Sequence, residues 1–176
     1  PMPLLSRAPH ATADLMVLVT SRFNGAAMNP SDSKGCTWHP LTENVSSTPC
    51  RVKIFYATKF DGGFSVGAGH TFTFSTSGSW FGSAELLAFS GSNFTTDSYD
   101  SVENGSNTSS GVTLATGSVT PSASGALLVA GVSGLGSVFT IGSGFTSDSN
   151  YTFDYSAGNW IGGGAGWLAH TSGAIN

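Results

Sequence analysis

Arg51-Val52-Lys53-Ile54-Phe55-Tyr56-Ala57 is the stretch on which the reading of the fold turns. Val52, Ile54 and Tyr56 fall on one side of an extended chain, the period-two signature of a half-buried strand. Phe72 and Phe74 alternate in the same way with Thr71 and Thr73. Working outward, short apolar stretches rich in Val, Phe, Thr and Trp recur, separated by Gly, Ser, Asn and Asp every eight to twelve residues or so. Helical periodicity is nearly absent. The strands expected on this basis are Asp14–Ser21, Thr37–Leu41, Arg51–Thr58, His70–Thr76, Ser83–Ser90, Gly111–Thr120, Ala126–Val132, Phe139–Ile141, Asn150–Ser156 and Ala165–Thr171. Asp32-Ser33-Lys34-Gly35 and Asp61-Gly62-Gly63 read as turns in which Gly supplies a positive φ.

The implied fold is all-β: a two-sheet antiparallel β-sandwich of the jelly-roll or immunoglobulin-like kind, filling 1–176 as one domain. Ala13–Val19 is similar to Ser124–Ala130, and Gly82–Ala88 to Gly164–Ala169. The expectation is two pseudo-repeated halves, about 11–92 and 111–173, each giving strands to both sheets and joined by a polar loop over 93–110.

Composition narrows the function classes. Of 176 residues, 39% are hydrophobic, only 9% are charged and 24 are Gly, so Ser, Thr and backbone amides must cover most of the surface. An exterior with so little charge repels its own copies weakly and makes association easy. The net charge of −4, with six scattered Lys and Arg, argues against nucleic acid, which needs basic side chains gathered on one face. No apolar run approaches the roughly 20 residues of a membrane-spanning helix, and no membrane insertion is expected. Pro1-Met2-Pro3-Leu4-Leu5 lacks a basic leader ahead of an apolar stretch. The expectation is a processed chain, or one made in a cytoplasm that leaves by another route, as a virion component does on lysis.

Beyond composition, the order Asp14-Leu15-Met16-Val17-Leu18-Val19, then Ser31-Asp32-Ser33-Lys34-Gly35-Cys36-Thr37-Trp38, then Arg51–Ala57 resembles a β-sandwich module of phage tail and virion proteins and of bacterial secreted surface proteins. Leu86-Leu87-Ala88-Phe89-Ser90-Gly91 matches a further strand of that module loosely. The likeness runs from about Ala13 to Gly173. It departs at Cys36, where the module usually carries Asn. The resemblance implies a fold and is nearly silent on activity. It also implies one more strand ahead of Asp14, either short within Pro1–Pro9 or supplied by a neighbouring subunit.

Candidate chemistry is weighed against plainer roles. Gly63-Phe64-Ser65-Val66-Gly67 fits the Gly-x-Ser-x-Gly pattern of a nucleophile elbow, but that device needs a helix after the Ser, and another strand follows here. Glu85 and Asp154 would be a carboxylate pair if the halves pack as the repeat suggests, whereas a strand carboxylate bonded to a hydroxyl is the commoner arrangement. Asp97, Asp100 and Glu103, with Asn93 and Asn104, gather oxygens suited to Ca²⁺, though a solvated acidic loop explains them as well. His10, His39, His70 and His170 have no His or Cys three or four residues away, so no zinc spacing is visible. Trp38 and Trp167 belong to strand patterns and to the core. Trp80 and Trp160, beside Gly and Ser at strand starts, are the candidate glycan contacts. Sequons at Asn44, Asn93, Asn104, Asn107 and Asn150 matter only in a glycosylating cell. A hairpin centred on Glu43–Thr48 would set Cys36 against Phe55 and Cys50 against Leu41, too far out of register for a disulfide, so small buried thiols are expected.

The expected function is a non-enzymatic structural subunit of a virion or extracellular appendage, such as a capsid decoration, tail or fibre. Its partners would be copies of itself or other virion proteins, met through strand edges and flat polar faces. The alternative is a module that binds a host surface glycan or receptor. No cofactor is expected beyond the Ca²⁺ already weighed.

Overall fold

The computed structural model describes residues 9–23, 28–45, 50–75, 81–91, 119–121, 125–135, 142, 144–156 and 159–169. All regular structure among them is β: β1 (Leu15–Phe23), β2 (Asn29–Asp32), β3 (His39–Pro40), β4 (Asn44–Val45), β5 (Cys50–Thr58), β6 (Phe72–Ser75), β7 (Phe81–Phe89), β8 (Leu127–Leu135), β9 (Thr146–Ser156) and β10 (Asn159–Ala169). The described residues hold no helix, and every strand pairing is antiparallel.

Three sheets form. The first runs β3-β5-β1-β7 with β4 also on β5, the second runs β8-β10-β9, and β2 pairs with β6 in a third. Strand β1 is the pivot. Its sequence Leu15-Met16-Val17-Leu18-Val19 is a continuous apolar run rather than an alternation, and its interior is buried on both faces. A strand covered on both sides has no face to leave polar.

One face of this sheet carries Val17, Val19, Ile54, Tyr56, Leu87 and Phe89, and Ala165 and Val129 of the second sheet pack on it. Trp167 meets Phe89 edge-on at 5.8 Å, and Ser21 Oγ donates to the Val132 carbonyl at 2.9 Å. The approach is close because β8 and β10 are rich in Gly. A Cβ on Gly131 would sit 2.6 Å from Val19 Cγ1 and 3.1 Å from Val52 Cγ2. The opposite face carries Met16, Leu18, Phe55 and Ala57, covered by Met28, Trp38, Phe72 and Phe74 from β2–β6 and its flanks.

Strand existence follows the sequence closely, and boundaries less so. The Thr37–Leu41 expectation contracts to His39–Pro40. Strands β2 and β4 were not expected. Strand β2 contains Pro30, but it is an edge strand with β6 as its partner, where a missing amide proton is tolerated. Phe139–Ile141, and all of Gly111–Thr120 except Val119 and Thr120, lie outside the described residues, as does the 93–110 loop.

Two finer expectations need correction. Among the described strands, those before residue 92 build the first and third sheets and those after 111 build the second, rather than each half feeding both large sheets. Strands close in sequence pair with one another, as β9 and β10 do, which keeps each half's hydrogen bonds local. The hairpin register also differs, pairing His39 with Tyr56 and Asn44 with Val52. Cys36 therefore leaves the hairpin altogether. Cys36 and Cys50 are not bonded to each other, Cys50 being buried and Cys36 partly so.

Candidate functional site

Asp32 ends β2 and begins the turn that leads to Trp38. Gly35 takes φ +74°, and its amide donates to the Asp32 carbonyl at 3.3 Å. The Asp32 side chain then caps the turn from within. Oδ1 accepts the Lys34 amide at 2.9 Å, and Oδ2 accepts the Cys36 amide at 3.2 Å. Asp favours such turns because its short carboxylate reaches backbone amides two to four residues on.

Two side chains complete the hub. Trp38 Nε1 donates to Oδ2 at 2.9 Å, and His70 Nε2 lies 2.9 Å from Oδ1. The side chains of Asp32 and His70 are both 0% exposed. Burial alone would raise the carboxyl's pKa. The hydrogen bonds from Trp38, His70 and the two amides outweigh that and hold it below its ordinary value of 3.8. His70 stacks on Phe72 at 4.2 Å, and Trp38 meets Phe72 edge-on at 6.2 Å. The polar hub is therefore roofed by aromatic rings.

Residues 59–71, between β5 and β6, close the other side. Asp61 Oδ2 accepts the Thr58 amide at 2.6 Å, while its Oδ1 meets His39 Nε2. The His39 ring lies on Tyr56 with centroids 4.9 Å apart. Gly63, at φ +84°, comes so close to the 32–38 turn that a Cβ there would stand 2.8 Å from the Gly35 carbonyl oxygen. Cys36 Sγ donates to the Ser65 carbonyl at 3.5 Å. Burial raises the thiol's pKa, with the Asp32 charge adding to it, so the sulfur stays protonated and weakly nucleophilic.

Asp32, Cys36 and His70 thus each bring a donor atom to one place, all within 4.8 Å of one another. Sequence spacing did not reveal this set, because His70 stands 34 positions from Cys36 and only the pairing of β2 with β6 unites them. The available signal was Cys36 itself, placed in a turn headed by an Asp.

A second feature lies outside the hub, on the outward side of β2–β6. Asn29, Ser31, Ser33, Thr71 and Thr73 are exposed there, while Phe72 and Phe74 point inward. Ser31 Oγ and Thr73 Oγ1 are 2.9 Å apart, the Ser33 amide donates to Thr71 O at 2.9 Å, and the Thr71 amide donates to Ser33 Oγ at 3.0 Å. Hydroxyl groups tied to each other and to the backbone give a patch of fixed donors and acceptors without charge.

Several charges among the described residues, by contrast, are engaged within the chain. Arg22 and Arg51 are directly opposed on β1 and β5, an arrangement that repels on its own. Glu43 reaches over both, with Oε1 on Arg22 and Oε2 on Arg51 at 2.9 Å. Lys59 faces Asp14 at 3.7 Å.

The remaining sequence candidates fare unequally. Ser65 of the Gly-x-Ser-x-Gly pattern is exposed in a loop that leads to strand β6, so no helix lifts it as an elbow would. Glu85 is buried on the β7 face that looks toward the second sheet. Asp154 lies on β9 and Trp160 opposite it on β10; the side chains of Asp154 and Trp160 lie outside the description. Trp80, Asp97, Asp100 and Glu103 lie wholly outside the described residues. No helix among the described residues is long and apolar enough to cross a membrane.

No protein-family model, no curated protein and no solved structure matches this chain.

Proposed function

We propose that the chain is a non-enzymatic structural subunit of a virion or extracellular appendage, in the manner of a capsid decoration, tail or fibre component, that assembles with copies of itself. In this reading the β3-β5-β1-β7 and β8-β10-β9 sheets form a two-sheet sandwich, and the outward side of β2–β6 is a docking face. The observation that carries it is the uncharged patch of Asn29, Ser31, Ser33, Thr71 and Thr73 on a chain whose acidic groups Asp14, Asp32, Glu43 and Asp61 face internal partners. Such a surface meets its copy through hydrogen bonds and close backbone approach, with little repulsion to overcome. The outer edge of β7 adds to this, since β1 is its one strand partner among the described residues.

Light scattering coupled to size-exclusion chromatography tests the reading. Assembly that grows with protein concentration and changes little between low and high salt is expected. Thr73→Arg, which plants a charge in the patch, is expected to weaken it at least ~10-fold, the effect of about 1.4 kcal/mol. A chain that stays monomeric at high concentration overturns the proposal.

A further inference from the structure

We propose that β7 is a strand-pairing edge whose occupant is β7 of a second copy, added antiparallel across a two-fold axis. The pairing rests on the assembly proposed above and is its first contact. Strand β7 closes the path β3-β5-β1-β7, and among the described residues β1 is the one strand bonded to it. The two run together from Phe81 to Phe89 with no break in register. A strand with one neighbour turns its other row of amides and carbonyls outward, where a further strand can take them. Gly82, Ser83 and Ala84 are partly exposed, and Ala88 is exposed. Gly82 has no side chain, so the surface it shows is backbone.

The other edges of the described sheets are blunted. Strands β3 and β4 hold two residues each, and β3 ends in Pro40. Strand β2 has four residues, with Pro30 among them, and β6 has four. Strand β9 lies on β10 with two irregularities in register, and β8 contains Gly131 and Gly134, which weaken a strand. Shortness, proline and bulges are means by which edges avoid pairing. By contrast, β7 is nine residues long and has no Pro, Lys or Arg.

Glu85 is the one charge on β7, and an inward-turned charge is a further such means. Here it sets the register instead. Glu85 is already 8% exposed in the single chain, so pairing withdraws little more of it from water. A two-fold axis at Glu85 would place its carboxylate opposite its own copy, which repels. Centred on Leu86, the pairing puts Glu85 beside the partner's Leu87 and Ala84 beside the partner's Ala88. The same strand then stands on both sides of the contact, which is the self-complementarity a two-fold interface requires.

Light scattering and hydrogen exchange on the full chain test the pairing, with Thr73→Arg present to weaken contacts through the β2–β6 face. In that background a dimer is expected at high concentration. The β7 amides are expected to exchange at least ~10-fold more slowly in it than in the diluted monomer. Ala88→Lys places an ammonium on an exposed position of the edge, the substitution natural edges use against pairing. It is expected to weaken the dimer at least ~10-fold while leaving the thermal midpoint of the monomer unchanged. Ala68→Lys, an equal charge on an exposed loop, is expected to leave the dimer unmoved. A Thr73→Arg chain that stays monomeric while the wild type assembles overturns the β7 pairing and leaves the assembly reading standing. A monomeric wild type overturns both. A dimer whose β7 amides exchange as fast as the monomer's, or whose affinity Ala88→Lys does not change, overturns the pairing alone.

Discussion

Val17 and Val19 look out of β1 toward Ala165 and Gly131, while Met16 and Leu18 look the other way toward Phe72 and Phe74. The first side is closed by leaving side chains out. Gly131 and the buried Gly163, Gly164 and Gly166 let the second sheet settle directly onto valine methyls. The second side is closed by large rings, and rings leave a gap at their margin that the Asp32 hub fills with a carboxylate and its donors. The two faces of one sheet therefore fail in opposite ways: the first when atoms are added, the second when a charge is taken away.

The largest effect is expected at the hub. Asp32→Ala strips partners from the buried His70 and from the Trp38 indole, and releases the turn amides of Lys34 and Cys36. Breaking a buried ionic hydrogen-bond set by removing one side costs about 3–5 kcal/mol, which is a large share of a domain's stability. Chemical denaturation should show it, and an unchanged midpoint would mean the aromatic roof alone holds that face. Next comes Gly131→Val. Its Cβ would meet Val19 and Val52 at 2.6 and 3.1 Å with no flexible tip to move aside, and overpacking of this kind costs up to about 3 kcal/mol. A loss much below 1 kcal/mol would show that the second sheet can lift away.

The same contrast governs what could be read from sequence. The valine side was legible, because Val52, Ile54 and Tyr56 alternate and Trp167 sits in a strand pattern. Local alternation encodes a face whatever covers it. The ring side was half legible. Phe72 and Phe74 announced a buried face, but the partner that pairs with them, β2, hides a Pro at position 30 and just four residues of strand. Without β2 there is nothing to carry Asp32 to His70, so the histidines looked dispersed. Contacts made between elements distant in sequence leave no local pattern, and register across a turn is set by turn geometry that composition does not fix. That is also why the cysteines were expected unbonded for the wrong register.

Acid should separate the faces further. Burial alone would raise the pKa of Glu43, but hydrogen bonds and charge from Arg22 and Arg51 hold it below 4.5. A carboxyl depressed in the folded state stabilises above its unfolded pKa and loses that contribution as the pH falls through the folded value. Wild-type protein is therefore expected to lose stability between roughly pH 5 and pH 3 more steeply than Glu43→Gln. The variant itself should be about 2 kcal/mol less stable at neutral pH, the value of charge-assisted bonds to a buried Arg22. Its acid limb stays sloped, because Asp61, held below its ordinary value by its bonds to His39 and Thr58 against the opposing pull of burial, adds an acid loss of its own. Equal slopes for the two proteins would remove Glu43 from the acid response.

The smallest expected effect tests whether the valine side has any polar fastening at all. Ser21 Oγ donates across the layers to the Val132 carbonyl at 2.9 Å, and Ser21 is fully buried. Ser21→Ala removes the donor without adding volume and leaves one carbonyl of β8 short of a partner. That costs about 1 kcal/mol, roughly a third of the expected loss at Gly131. A measured loss near zero would mean that the Gly-rich approach alone fixes β8 against β1. A loss near that of Asp32→Ala would instead show that this face, like its opposite, is closed by a single polar group.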